Sequence, residues 1–140
     1  MTLSTRAELF AKSVHANQVD KAGKPYIRHL QAVVHNLIEP TEEMIAVAWL
    51  HDSVEDTEST FDDLTRYFGK TVSEAVDAVT KRKGESYPEY LNRVKANHIA
   101  RLVKIADLSH NMDLSRLSKI TEKDLERTAK YIKAKEFLEN

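Results

Sequence analysis

The 140-residue chain contains no cysteine. That excludes a disulfide framework and any thiolate metal site, so a bound metal must use histidine and carboxylate ligands. Three glycines and three prolines leave few places for tight turns, and alternating β-branched runs are scarce. No apolar run approaches the roughly 20 residues of a membrane span. The opening residues Met1 to Arg6 lack the apolar core of a secretory signal. A formal net charge of -1 and a pI of about 6.6 remove the basic footprint that nucleic acid or an anionic membrane would select. The expectation is a cytoplasmic protein with neither nucleic acid nor membrane as partner.

Hydrophobic residues make up 41% and charged residues 31%, an ordinary balance for a globular chain able to bury a core without staples. One domain over residues 1–140 is expected, all-α, a helical bundle of about seven or eight helices. Helix one covers Ser4 to Gln18 and is broken by the Gly23 and Pro25 of the following loop. Helix two starts near Tyr26, with Leu30, Val33 and Leu37 on its face, and stops before Pro40. Thr41 with Glu42 and Glu43 reads as the capped start of helix three. Shorter helices follow over 59–69, 70–83 and 87–97, then His98 to Leu117 and Thr121 to Leu138.

The end of helix three concentrates the chemistry. His51, Asp52, Glu55 and Asp56 place one imidazole and three carboxylates within six positions. On a continuous helix His51 pairs with Glu55, and Asp52 with Asp56, each at i,i+4. Adjacent His51 and Asp52 splay by about 100°, so they reach one ion only at a helix edge. A solvated acidic helix end is the bland alternative. Against it, His51 continues the apolar stripe of Met44, Val47 and Ala48, where an unpaired polar group is costly.

A second signal lies in the helix from His98. Ala100, Val103, Asp107, His110, Asn111, Leu114 and Leu117 form one seam, so Asp107 sits inside an apolar stripe. A carboxylate there needs a cation or a full set of donors, a helix cap or a buried salt bridge to an arginine being the other ways to satisfy it. His29, alone, reads as a packed helix histidine. His15, His35, His98 and His110 read the same way, His15 and His110 being the best placed to line a pocket. Taken together, His29, His51, Asp52 and Asp107 would be a mixed N/O set suited to Mn²⁺, Fe²⁺, Zn²⁺ or Co²⁺. Spacing across three helices does not itself establish that they converge.

These segments resemble the HD-domain metal-dependent phosphohydrolases, and within them the hydrolase domain of the RelA/SpoT family and its small stand-alone alarmone hydrolases. The resemblance rests on His15 to Gln18, Gly23 to His29, His51 to Thr57, Phe68 to Val72, Val79 to Lys81 and Lys104 to Met112, and runs from about residue 7 to 117. It implies an all-helical fold with one Mn²⁺ on His29, His51, Asp52 and Asp107, and Glu55 and Asp56 positioning and deprotonating the attacking water. It implies as substrate a small nucleotide, one of the guanosine 3′,5′-bispyrophosphates such as ppGpp, whose 3′-pyrophosphate is removed to give GDP or GTP plus pyrophosphate. Asn111 would bind its sugar or phosphate. Lys21, Lys24, Arg28 and Lys104 are candidate phosphate contacts, with His15 and Tyr26 beside them.

With no synthetase segment in these residues, the expected activity is hydrolytic only. A homo-oligomer stays open. The chain departs from the family pattern at Asp20, where a basic residue is usual, at Leu30 after His29, where proline is common, and at Leu108 after Asp107, where Arg or Lys is usual. The first and last remove positive charge expected near the phosphates. The alternatives are a phosphomonoesterase or pyrophosphatase for other nucleotides, and a non-catalytic nucleotide or metal sensor.

Overall fold

Hydroxyl and amide side chains set where most of the helices begin. Thr2, Thr41, Thr60, Ser86, Asn97 and Thr121 each accept a hydrogen bond from the backbone N–H three residues on. Each bond satisfies a donor that a helix leaves orphaned in its first turn. The computed structural model describes residues 1–20, 22–115 and 117–140. Its helices are α1 (Leu3–Val14), α2 (Ile27–Asn36), α3 (Glu42–Leu50), α4 (Ser53–Asp56), α5 (Phe61–Phe68), α6 (Lys70–Val79), α7 (Tyr87–Ala96), α8 (His98–Asn111) and α9 (Glu122–Glu139). Among the described residues there is no strand, only an isolated bridge between Val19 and Pro25. The fold is all-α, as expected. No helix among these residues is long and apolar enough to cross a membrane.

Nine helices among the described residues replace the expected seven or eight because the third breaks at His51-Asp52. His51 Nδ1 lies 2.7 Å from the Ala48 carbonyl, and Ser53 Oγ donates to the Leu50 carbonyl at 2.7 Å. These side chains take acceptors that a continuing helix would use, and Asp52 opens to φ −104°, ψ 1°. The i,i+4 pairing expected across a continuous helix is therefore re-aimed. The helix expected to run from His98 to Leu117 stops at Asn111, where the Asp113 carboxylate accepts from the Ser115 N–H and builds a turn instead. Likewise α1 ends at Val14, and residues 15 to 18 form the turn that follows it.

The residues of α3 explain its central position. Met44 and every residue from Ala46 to Leu50 are buried, so from Met44 onward the helix is apolar all round and is wrapped by α1, α2, α6 and α8. Ala7 and Ala11 let α1 approach closely. A second cluster joins Val79, Tyr90, Leu91, Val94, Ala100, Leu108, Ala134 and Leu138. α8 belongs to both: Val103 and Ala106 face the first cluster, Ala100 and Leu108 the second. Asp107 stands at the seam between them.

Candidate metal centre and active site

His29 from the first turn of α2, His51 from the end of α3 and Asp107 from α8 meet at that seam. All three are buried, and one ligand atom from each lies within 4.8 Å of the others. Asp107 Oδ1 is 2.9 Å from His29 Nε2 and 3.3 Å from His51 Nε2. Asp52 stands at the edge of this group of three, its Oδ2 3.2 Å from His51 Nε2 and 3.9 Å from His29 Nε2. The helix break turns Asp52 inward beside its neighbour His51, which a regular helix would splay away.

The outer atoms of these side chains are also engaged. His51 Nδ1 donates to the Ala48 carbonyl, which directs its Nε2 toward Asp52 and Asp107. His29 Nδ1 meets His110 Nδ1 at 2.7 Å. Asp107 accepts from Lys104 Nζ at 3.0 Å and from Asn111 Nδ2 at 3.2 Å. Tyr26 donates its hydroxyl to Asp52.

Burial alone would raise the Asp107 pKa, but the Lys104 cation and the two imidazoles outweigh it and hold the carboxyl well below its usual range. At Asp52 burial also opposes ionisation, and the adjacent His51 brings the pKa down to about 2. Burial likewise disfavours a charged His51, yet the two carboxylates raise its pKa well above the ordinary value. The cluster thus demands positive charge. A proton on His51 meets that demand, or a divalent cation among the same atoms, whose binding would displace the proton. Imidazole nitrogen and carboxylate oxygen without sulfur suit a divalent transition metal, so the residues fit one.

The cluster opens into a cavity of about 390 Å³, within the size range of small-ligand sites. Tyr26, His29, Asp52, Lys104, Asp107 and Asn111 line one side, and Gln18, Val19, Asp20 and Ala22 form part of the wall. Of the expected substrate contacts, Tyr26, Lys104 and Asn111 therefore reach the cavity, the last two already bonded to Asp107. His15 does not line it but lies behind Tyr26, ring centres 5.2 Å apart. Lys24 borders a neighbouring hollow with Lys123 and Arg127. Arg28 is exposed and lines none of these cavities. Lys21 lies outside the described residues.

Glu55 and Asp56 sit on α4, one turn beyond Asp52, open to solvent. Both pKa values are raised, first by partial burial of the carboxyl groups and then by the Asp52 charge. Such a shift moves a carboxylate toward the range where it exchanges protons near neutrality. Asp56 also accepts from Gln18 Nε2 at 3.2 Å.

One of the two expectations about lost charge changes on the structure. Leu108 is fully buried in the second cluster, so that position points into the core and not toward the cavity. Asp20 accepts from the backbone N–H groups of Ala22 and Lys24 at 2.9 and 3.0 Å, building the loop that walls the cavity. Arg127 and Tyr131 of α9 line the cavity as well, and the sequence reading missed them. Arg127 is paired with Asp124, and the spacing of Asp124, Arg127 and Tyr131 at i, i+3 and i+7 is the signal that marks one face.

Residues 7–132 match the family model described as HD domain. The chain is 39% identical over 119 residues to a guanosine-3′,5′-bis(diphosphate) 3′-pyrophosphohydrolase of Danio rerio, covering 76% of this chain and 66% of that protein. It is 33% identical over 120 residues to the bifunctional (p)ppGpp synthase/hydrolase SpoT of Escherichia coli K12, covering 76% of this chain but 17% of the relative. The chain thus spans under a fifth of the length of that bacterial relative. A solved structure of a metazoan ortholog of SpoT that hydrolyses ppGpp superposes with a TM-score of 0.81 at 25% identity, covering 99% of this chain and 85% of the other. With the converging His29, His51 and Asp107 and a match over most of its length, the chain belongs to the HD-domain family, and its likeness is to the RelA/SpoT-type hydrolases.

Proposed function

We propose that this HD domain is a Mn²⁺-dependent phosphohydrolase that removes the 3′-pyrophosphate of guanosine 3′,5′-bispyrophosphate, acting in the cytoplasm. The observation that carries the reading is the buried His29–His51–Asp107 group, with Asp52 at its edge, opening into a cavity of about 390 Å³. A divalent metal bound by these four residues supplies the charge that acidifies water and offsets that of the phosphates. His29, His51, Asp52 and Asp107 hold that site, with Lys104 and Asn111 fixing the Asp107 carboxylate. Glu55 and Asp56, with raised pKa values, orient the attacking water and take its proton on a carboxylate oxygen. Water adds across the bond between the sugar 3′-oxygen and phosphorus: pyrophosphate keeps the water oxygen, and a proton completes the 3′-hydroxyl. Tyr26 and Asn111, with Arg127 and Tyr131, line the space for the nucleotide.

The test is pyrophosphate release from ppGpp by manganese-loaded protein, with Asp107→Ala and a panel of other nucleotides alongside. Wild-type turnover that Asp107→Ala lacks, with a large preference for the 3′-diphosphate, is the expected result. Equal turnover by Asp107→Ala defeats the reading. Asp20 and Asp113 in the cavity wall favour a second reading, a less anionic nucleotide as substrate, and the same panel would reveal it as a preference for monophosphate esters.

A further inference from the structure

Gln18 lines the cavity and His15 packs behind Tyr26, yet neither is a metal ligand. His15 caps the end of α1 and is 2% exposed. Its Nδ1 lies 2.7 Å from Gln18 Oε1, and Gln18 Nε2 donates to Asp56 Oδ2 at 3.2 Å. An amide oxygen only accepts, so this geometry puts the His15 proton on Nδ1. The chain of donors then has one direction, from His15 Nδ1–H to Gln18 and from Gln18 to the Asp56 carboxylate. A flipped Gln18 amide would set its oxygen against the Asp56 carboxylate and lose that bond, so the Asp56 contact fixes the amide and, through it, the His15 tautomer.

The backbone supports the same arrangement. Gln18 N–H donates to the His15 carbonyl at 3.0 Å, and the Gln18 carbonyl accepts from the Tyr26 N–H at 2.9 Å. The His15 ring packs on Tyr26, whose hydroxyl holds Asp52. His15 Nε2 is buried and has no hydrogen-bond partner among the described residues. What the imidazole supplies is the Nδ1 donor that orients Gln18.

We propose that His15 and Gln18 are positioning residues that aim the Asp56 carboxylate at the attacking water, a role that rests on the hydrolytic reading of the site. One aromatic shelf, Tyr26, then sets both the ligand Asp52 and the proton acceptor Asp56, tying the two halves of the centre to one loop.

Two measurements test this. Histidine ¹⁵N NMR of the wild-type protein should place the neutral His15 proton on Nδ1, and Gln18→Leu should release that preference. A proton on Nε2, or a spectrum unchanged by Gln18→Leu, overturns the relay whatever the substrate proves to be. In kinetics with ppGpp, His15→Phe keeps the ring stack and removes the donor. His15→Asn offers Nδ2 in place of Nδ1. His15→Phe and Gln18→Leu should lower kcat by about tenfold to a hundredfold with KM nearly unchanged, the scale expected when a reacting group is misplaced. His15→Asn should recover most of the loss. Unchanged kcat in both variants, or His15→Asn as poor as His15→Phe, overturns the proposal. Absent turnover by wild type would instead defeat the substrate reading and leave the NMR result to decide the relay.

Discussion

α9 has a face on each of two hollows, and they differ in kind. On one side Arg127 and Tyr131 border the cavity of about 390 Å³ that holds Asp52, His29 and Asp107. On the other, Ala129, Ala134 and Phe137 meet Tyr87, Pro88 and Leu91 of α7 around a cleft of about 570 Å³. The larger hollow carries no imidazole and no aspartate in its lining. Its Lys130 lies over the Tyr87 ring, 4.0 Å from the centroid. Volume therefore does not mark the chemistry here. Convergent titratable groups with displaced pKa values do.

The comparison is broken most directly at α4. Asp56→Asn and Glu55→Gln should each lower turnover by about 10²- to 10⁴-fold, the usual weight of a positioned proton acceptor, with bound metal unchanged by elemental analysis. Leu91→Ala in the apolar cleft should leave kcat where it is. Turnover that survives in both α4 variants would assign the proton transfer elsewhere.

A smaller effect separates stability from activity. Leu138 is fully buried in the second cluster, with Ala134 and Leu108. Leu138→Ala should remove about 2–5 kcal/mol of stability through lost burial and the cavity left behind, read from urea unfolding. kcat/KM measured well below the melting transition should match wild type. A fall in kcat/KM at that temperature would show that the two regions are coupled through α8.

The same division governs what could be read from sequence. Helix starts were legible because Thr41, Thr60 and Thr121 act locally, through a bond spanning three residues. Asp107 was legible because a carboxylate in an apolar stripe violates the pattern around it. Its partner His29 carried no such mark, since a histidine on a helix is unremarkable until α2 is laid against α8. The break at His51-Asp52 depends on two side chains, His51 and Ser53, capturing carbonyls of their own helix, a competition that helical periodicity does not register. Leu108 was misread for the opposite reason. The family pattern of Arg or Lys after Asp107 suggested a cation missing from the site, whereas neighbours on a helix point about 100° apart and this one faces the core.

The smallest expected effect lies at the loop between α6 and α7, which does not line the cavity at Asp107. Glu85 accepts from Arg93 Nε at 2.6 Å and Nη2 at 2.9 Å, and from the Arg82 backbone N–H at 3.0 Å. Arg93 in turn donates to the carbonyls of Asp77 and Thr80, closing the C-terminal end of α6. The Arg93 hydrogen bonds first, and then the Arg82 N–H, lower the Glu85 pKa from 4.5 to about 2. A depressed folded-state pKa means that the unfolded chain takes up the proton first. The stabilisation is therefore full above about pH 4.5 and is lost as pH falls toward about 2. Glu85→Gln should lower the melting temperature slightly at neutral pH, and its gap from wild type should narrow steadily through that window. A gap independent of pH would mean that Glu85 acts by shape and hydrogen bonding alone, and kcat at neutral pH should be the same in both proteins.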